Sequence, residues 1–243
     1  MICRISKEQR TALKKRLRRL CRPAWLGTLR TTKPLSDDWG FDRGTAVDRY
    51  YIEGFLEDYR QDIHGRVLEV KDRCYAERFG VGVEVSDILD IDTTNSRANV
   101  VADLSQAHSI PSNVYDCFIL TQTLQLIYDV RAAIFHAHRI LRPGGVLLLT
   151  VPSVSRIVHD CALQSDYWRF TVASCQRLIE EAFGKWVTCR SYGNVLASIA
   201  FLAGLAYQEL SVHELEACDD YFPVIIAVRA VKAPGPVQAS SQL

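Results

Sequence analysis

Hydrophobic positions repeat with a helical period in the first quarter of the chain. Ser6 and Gln9 form a capping-box pattern, and the leucines that follow at spacings of four and three residues predict a helix that ends near the Cys-Arg-Pro of residues 21–23. A second helix is predicted from Thr45 to about Tyr59, because apolar side chains recur there every four residues. The positions on one face of these two helices are Leu13, Leu17 and Leu20 in the first, and Val47, Tyr51, Phe55 and Tyr59 in the second.

Beyond residue 62 the pattern changes to short β-rich runs that alternate with helical segments, which is typical of βαβ units and a parallel sheet. Five strands are predicted at residues 66–70, 85–91, 99–102, 117–121 and 146–151. The helix before the fifth strand has Asp129 as its N-cap and stops at Pro143-Gly144-Gly145. A later helix runs from Val172 to Phe183, with Thr171 as its cap.

Two further strands are predicted near the end of the chain, at residues 186–192 and 224–231, and an apolar helical stretch at 195–210 separates them. We expect these two strands to form an antiparallel pair. The fold class expected is therefore α/β, a Rossmann-like seven-stranded, mostly parallel sheet with helices on both faces. We expect the 195–210 helix to be core or a dimer contact rather than a membrane anchor.

Charge divides the chain into a basic leader and an acidic remainder. Residues 1–34 contain eleven Lys and Arg against one Glu, a formal charge of +10, and because the whole chain carries +1 the rest carries −9. This division suggests four parts: a basic N-terminal helix or arm at 1–34, a lid or cap helix at 35–62, the α/β domain at 63–232 and a flexible tail at 233–243. One interpretation of the arm is a contact with a membrane surface or an anionic ligand. The alternative is a solvated helix docked through its three leucines, or a partly disordered arm.

The eight cysteines are scattered singly, without a CxxC pair or a His/Cys cluster at metal spacing, so we expect most of them to be buried free thiols and expect no metal site. There is no apolar run long enough for a membrane span and no signal-peptide pattern, so we expect a cytoplasmic protein. Nothing in the sequence indicates nucleic-acid binding, and it leaves the oligomeric state open.

Three segments together resemble the class I S-adenosylmethionine-dependent methyltransferases. They are RVLEV at 66–70, VADL at 101–104 followed by YDCFILTQ at 115–122, and ILRPGGVLLLT at 140–150. The third is the most specific, and the resemblance covers roughly residues 63–232. The segments WGFDRGTAVDRYYIE, TQTLQLIYD, DYWRFT and YGNVLA also resemble a bacterial subgroup of methyltransferase-like proteins associated with glycosyltransferases and with glycan or natural-product pathways.

The resemblance implies S-adenosylmethionine as cofactor and assigns roles to acids that follow the strands. Glu69 would order the loop beneath the amino-acid portion of the cofactor, and Asp103 with the Leu104 backbone would hold the adenine. Either Asp90 or Asp92 fits the expected spacing for the ribose; we prefer Asp92, just past the second strand. Thr121 leaves the fourth strand, where the methyl-transfer site opens. Asp103 could instead cap a turn, and the Asp-Thr-Thr-Asn run that begins at Asp92 also suits a turn.

The loop after the first strand departs from the family pattern of an acid followed by spaced glycines. It contains no glycine before Gly80, and Lys71 occupies the position of the first glycine. Either the loop binds the cofactor through side chains, with Asp72 holding the ammonium group, or the pocket has decayed. The missing glycines argue against an NAD or FAD enzyme, and the absence of a P-loop motif argues against nucleotide hydrolysis.

Four residues are candidates on the acceptor side. His159 lies just beyond the fifth strand and is the candidate general base, although a surface histidine is the alternative. Tyr50, Tyr167 and Trp168 are candidates for substrate binding, with packing as the alternative. The leading hypothesis is O- or N-methylation of a saccharide or small natural-product intermediate. The alternative is a catalytically degenerate module that binds a glycosyltransferase, another biosynthetic enzyme or a glycan.

Overall fold

The computed structural model describes residues 6–21, 27–158 and 165–234, and within these ranges seven strands form one sheet between layers of helices. The strands are β1 (Gly65–Val70), β2 (Val83–Asp90), β3 (Val100–Val101), β4 (Tyr115–Thr121), β5 (Leu141–Pro152), β6 (Val187–Tyr192) and β7 (Ile225–Val231). The helices are α1 (Lys7–Cys21), α2 (Val47–Asp58), α3 (Cys74–Phe79), α4 (Val130–Ile140), α5 (Val172–Phe183), α6 (Val195–Ala203) and α7 (Val212–Glu216).

The sheet has the order β3-β2-β1-β4-β5-β7-β6. The first five strands in this order are parallel, whereas β7 runs antiparallel to both β5 and β6. The predicted seven-stranded, mostly parallel sheet with an antiparallel pair at its end is therefore confirmed. The strand order reverses between β1 and β4, and in open α/β sheets ligands bind outside the carboxyl ends of the strands at such a point.

Local capping signals set the ends of several helices where the sequence indicates them. The Gln9 backbone N–H donates to the Ser6 hydroxyl at 3.2 Å before α1, and the Ala132 N–H donates to the Asp129 carboxylate at 3.0 Å in α4. Thr171 forms a reciprocal capping pair with Ser174 at the start of α5. Because these bonds join residues three apart, sequence alone is enough to place them.

Alternate residues of the strands supply two hydrophobic cores, one on each face of the sheet. Leu68 and Phe118 point to the core under α4 and α5, whereas Val67 and Ile119 point to the core under α2, α3, α6 and α7. All four of these side chains are buried. Burial on both faces explains why the strands appear in the sequence as nearly continuous apolar runs.

Helix α2 packs its apolar stripe into the second of these cores. Val47 and Phe55 are buried, and the hydroxyl of Tyr51 donates to the carbonyl of Leu215 at 2.9 Å. Just after α2, Asp62 pairs with Arg229 of β7 at 2.7 Å. The segment 35–62 thus shares a core with the α/β domain, while its role as a lid stays a prediction.

The last helical stretch is shorter than the 195–210 predicted. Helix α6 ends at Ala203 because Gly204 adopts a left-handed conformation with φ of 75° and caps it. The chain continues in a 3-10 turn at Tyr207–Glu209 and in α7, which the sequence analysis did not predict. Of the predicted tail at 233–243, only residues 233 and 234 lie within the described ranges. The helices in these ranges include none with the length and apolar character that a bilayer span requires.

Candidate cofactor and substrate site

The residues predicted to bind a cofactor all lie at one edge of the sheet. They are Glu69, Asp72, Asp92, Asp103, Leu104 and Thr121, each within three residues of the end of β1, β2, β3 or β4. The carboxyl ends of parallel strands meet at the same edge, so the topology gathers positions that are as many as 52 residues apart in the chain.

Glu69 ties the end of β1 to the start of α3. Its carboxylate accepts the backbone N–H groups of Tyr75 at 3.1 Å and Ala76 at 2.8 Å, and the residue is 2% exposed. Burial raises the pKa of Glu69 to about 7, although the two N–H donors act in the opposite direction. This carboxylate therefore orders the loop after β1. Its role beneath the amino-acid portion of a bound cofactor remains a prediction.

Lys71 adopts the backbone conformation that a glycine would take at its position. Its φ is 73°, a left-handed conformation that costs a residue with a Cβ about 1 kcal/mol or more. The second loop supports it, since the Lys71 N–H donates to the Leu89 carbonyl at 2.9 Å and the Asn95 amide donates to the Lys71 carbonyl at 3.0 Å. The loop has lost the glycine but kept the glycine-type turn.

The loop after β1 is also bound through Asp72, whose carboxylate accepts the N–H of Cys74 at 3.0 Å. Helix α3, which follows, has only six residues. The first N–H groups of any α-helix lack partners within the helix, and Glu69 and Asp72 together accept three of those in α3.

The structure separates the two candidate ribose acids. Asp90 is the last residue of β2, one residue before the predicted end, and is 4% exposed, with its carboxylate bonded to the Asp92 N–H at 3.1 Å and the Asn95 amide at 2.8 Å. Asp92 is exposed and accepts the Thr94 hydroxyl at 2.7 Å and the Thr94 N–H at 2.8 Å, bonds that lower its pKa. Of these two acids, Asp92 faces solvent and Asp90 is buried.

The turn after β3 is capped by Asp103, whose carboxylate accepts the N–H and the hydroxyl of Ser105, both at 2.8 Å. Leu104, the next residue, is buried. At the end of β4, Thr121 is followed by Gln122, which takes a positive φ of 46°. A second non-glycine residue at this edge is thus held in the left-handed region.

A charged cluster that the sequence did not single out joins the first turns of α2 and α3. The guanidinium of Arg49 donates to the hydroxyl of Tyr75 at 2.9 Å. Asp48 is 7% exposed, its Oδ1 has no hydrogen-bond partner among the residues that the structure describes, and burial raises its pKa. Because Tyr75 also donates its N–H to Glu69, this cluster adjoins the loop after β1. The only signal in the sequence was the adjacent pair Asp48-Arg49. Tyr75 lies far from this pair in the chain, so spacing gave no sign that the three side chains meet.

Three aromatic side chains form an exposed patch beyond β4, which we call the aromatic platform: Tyr128, Tyr167 and Trp168. The Tyr128 ring lies 5.3 Å from that of Tyr167 and 6.1 Å from that of Trp168. Trp168 donates its indole N–H to the Ile127 carbonyl at 3.0 Å, which fixes the ring. The three residues are 71%, 46% and 38% exposed, respectively. The sequence indicated Tyr167 and Trp168 but not Tyr128.

The segment that carries Tyr167 and Trp168 is held in place by a backbone hydrogen bond and an ion pair. The Gln125 carbonyl accepts the N–H of Tyr167 at 2.9 Å, and the buried Asp166 carboxylate pairs with Arg169 at 2.5 Å. Two amide atoms nearby, Nε2 of Gln122 and Oε1 of Gln125, are buried and have no hydrogen-bond partner among the described residues. The exposed rings of the aromatic platform are thus held on a fixed segment.

The remaining predicted residues lie elsewhere. The Tyr50 ring packs against Tyr51 at 5.4 Å and Tyr207 at 5.5 Å, on the flank of α2. Tyr50 therefore packs against the core on one face of the sheet. Phe170, which follows the aromatic platform in the chain, belongs to the core on the other face. His159, the predicted general base, lies outside the described residues.

Comparison with known proteins agrees with this topology. A methyltransferase-domain family model matches residues 65–149 of the chain. A structure of an S-adenosylmethionine-dependent methyltransferase from Mesorhizobium loti is similar, with a TM-score of 0.52 and 18% identity over 79% of this chain and all of that one. The fold is that of the class I methyltransferases.

Two further structures share this methyltransferase fold at low identity. Phosphoethanolamine N-methyltransferase 2 from Haemonchus contortus, in complex with phosphomonomethylethanolamine and S-adenosylhomocysteine, has a TM-score of 0.51 and 12% identity over 76% of this chain. This chain spans about half of that enzyme, 53%. The [4+2]-cyclase SpnF has a TM-score of 0.51 and 15% identity over 84% of this chain and 88% of its own. No curated protein matches the chain by sequence.

Proposed function

We propose that the protein binds S-adenosylmethionine at the carboxyl edge of the sheet and methylates a hydroxyl or amine of a saccharide or small natural-product intermediate. The observation that carries this proposal is the loop after β1. Glu69 holds the start of α3 by two hydrogen bonds, and Lys71 keeps a left-handed backbone although a glycine is missing. A turn maintained against that cost supports a retained function.

The residues at this edge fit the chemistry of such a cofactor. Its amino-acid portion is a zwitterion, and Arg49 is the cationic partner that we propose for its carboxylate. For the ammonium group there are two candidate acceptors: Asp72, which the sequence suggested, and the buried Oδ1 of Asp48, which has no hydrogen-bond partner among the described residues. Asp92, which is exposed, is the acceptor that we propose for the ribose hydroxyls, and Asp103 with the Leu104 backbone is the proposed partner of the adenine.

When bound, the cofactor supplies a methyl group on a sulfonium centre that is open to in-line attack. The protein has to position the acceptor atom and exclude water, and it has to remove the proton that a hydroxyl acceptor loses as the new bond forms. Thr121 and Gln122 border the space after β4 where the acceptor would meet this centre. His159 remains the proposed base.

The aromatic platform supports a saccharide or another ring-shaped acceptor. A sugar presents an apolar C–H face, so it suits a fixed and exposed aromatic surface. Tyr128 and Trp168 supply such a surface. The resemblance to glycan-associated methyltransferase-like proteins leads to the same acceptor class.

The alternative is a degenerate module that keeps the fold and binds a biosynthetic partner enzyme or a glycan without methylation. Lys71 favours it, because a long side chain stands where the backbone of related loops approaches the ligand closely. SpnF, a protein of this fold, carries the name of a cyclase, so the fold name alone does not establish the reaction.

Calorimetric titration with S-adenosylmethionine and S-adenosylhomocysteine distinguishes the two proposals. One-to-one binding of either, lost on Asp103→Ala but not on Phe135→Ala at a remote surface position, supports the methyltransferase. A folded protein that binds neither compound favours the degenerate module. A thermal unfolding scan of each variant serves as the folding control, and activity assays with saccharide acceptors follow only after cofactor binding is established.

A further inference from the structure

Helix α6 presents an apolar face to solvent. Val195, Ile199 and Leu202 lie one turn apart on that face and are 48%, 45% and 47% exposed, whereas Ala197, Ala200 and Phe201 on the other side are buried. Leu196 adds to the exposed face. A contiguous exposed apolar surface on a folded domain is characteristic of an interaction site.

The segment after α7 extends this surface and gives it an acidic border. The Ser198 hydroxyl of α6 donates to the Phe222 carbonyl at 3.1 Å. This bond holds the backbone of Phe222, whose side chain is half-exposed, beside the helix. At the N-terminal end of α6, the Asp219 N–H donates to the Gly193 carbonyl at 2.9 Å. Four acids occur between residues 214 and 220, without a lysine or arginine among them: Glu214, Glu216, Asp219 and Asp220.

Helix α1 is complementary to this surface. Leu13, Leu17 and Leu20 form a stripe with i, i+4, i+7 spacing and are 49%, 50% and 69% exposed. The helix contains seven Lys and Arg and one Glu. Its stripe has the same spacing as the one on α6, so the two helices can pack side by side while lysines and arginines approach the acidic border. With 15 residues, α1 is about 22 Å long, enough to cover α6 and the turn beside it.

We propose that the protein forms a two-fold dimer in which α1 of each copy packs on α6 of the other. One molecule carries both complementary surfaces, and both are exposed in the structure. A two-fold pair would bury all four surfaces at once through two equivalent contacts. An anionic lipid surface suits α1 but is repelled by the acidic border of α6, so it would leave the apolar face of α6 uncovered.

The first test is the mass of the full chain in solution, measured by sedimentation equilibrium over a concentration series. We expect a dimer that weakens with salt and whose dissociation constant rises roughly tenfold or more on Leu17→Glu or Ile199→Glu. Phe135→Glu on α4, where the phenylalanine is 56% exposed, is the matched control and should leave the dimer intact. A monomer at every concentration, or a dimer that survives both test substitutions, overturns the proposal.

Mixing the two disrupted variants tests the exchange of helices between copies. In a mixed pair, α1 of the Ile199→Glu copy meets α6 of the Leu17→Glu copy, so one intact contact returns and dimer reappears. Docking of α1 on α6 within one chain predicts no recovery, and would show instead as a monomer whose α1 loses protease protection on Ile199→Glu. Flotation with anionic vesicles that depends on Ile199 would assign α6 to lipid and also overturn the proposal.

The substituted side chains are exposed, so the variants are expected to fold, and circular dichroism and thermal unfolding verify this. A charge exchange provides a second route with less effect on the apolar surface. Lys14→Glu with Lys15→Glu should weaken the dimer, and adding Glu216→Lys with Asp219→Lys should restore it. Failure of the second pair to restore the dimer contradicts the arrangement.

Discussion

The side-chain amide of Asn95 donates to the backbone carbonyl of Lys71 at 3.0 Å, and so connects the loop after β2 to the loop after β1. The same amide nitrogen donates to the Asp90 carboxylate at 2.8 Å. One asparagine thereby supports a lysine in a glycine-type conformation and satisfies a buried acid at the end of the neighbouring strand. The two loops that would surround the cofactor are thus one hydrogen-bonded unit.

This relationship predicts that Lys71→Gly stabilises the protein. Glycine adopts a φ of 73° without steric cost, so the free energy of unfolding should rise by about 0.5–1 kcal/mol after the entropy of the more flexible unfolded chain is deducted. Urea unfolding measures the change. Lys71→Ala is the control, because it removes the long side chain but keeps the Cβ; equal stability of the two variants would contradict the strain argument.

Glu69 predicts a pH dependence of stability. Its pKa in the folded protein is raised to about 7 from an ordinary 4.5, so the carboxyl favours folding while it is protonated. That contribution is fully present below pH 4.5 and is lost as the pH rises through 7. The Glu69→Gln side chain does not titrate. The free energy of unfolding of this variant, relative to that of the wild type, should therefore rise by up to about 3 kcal/mol between pH 4.5 and 7. If the free energies of unfolding of the two proteins run parallel across pH 4.5–7.5, the pKa of Glu69 is not raised in the folded protein.

Asp90 and Asp92 are expected to respond differently to substitution. Asp90→Ala removes a buried acceptor of two hydrogen bonds and should cost about 1–3 kcal/mol of unfolding free energy. Asp92→Ala breaks an exposed turn contact and should cost less than about 1 kcal/mol, yet weaken S-adenosylmethionine binding roughly tenfold. Chemical unfolding and calorimetry together separate the effects. Unchanged affinity in the Asp92 variant of a protein that binds the cofactor would refute the ribose assignment.

The aromatic platform predicts a change confined to the acceptor. Trp168→Ala should raise the KM for a saccharide acceptor roughly tenfold while leaving cofactor affinity unchanged, because the ring contacts Ile127 and Tyr128 of the segment after β4. Trp168→Phe keeps a ring but loses the bond to Ile127, so its effect should be intermediate. A variant that loses cofactor binding along with acceptor binding would indicate that the ring serves the fold instead.

What the sequence determined about this protein is its local structure and, through it, the sheet. The Asp129 and Thr171 caps and the apolar runs of the strands are signals between neighbouring residues, and each led to an element that the structure contains. The helix stop predicted at Pro143 was placed too late, since α4 ends at Ile140 and β5 begins at Leu141. Alternation of helical and β patterns was enough for the parallel sheet, because a parallel crossover of this kind has few arrangements open to it.

Only the tertiary structure decided which side chains are buried, exposed or brought together. It placed Asp90 inside and Asp92 outside, joined Arg49 to Tyr75 across 26 residues, and brought Tyr128 to Trp168. It also left one face of α6 exposed although the apolar sequence on all sides of that helix is typical of burial. The physical reason is the same in each case: burial and contact depend on elements far away in the chain, which local spacing does not encode.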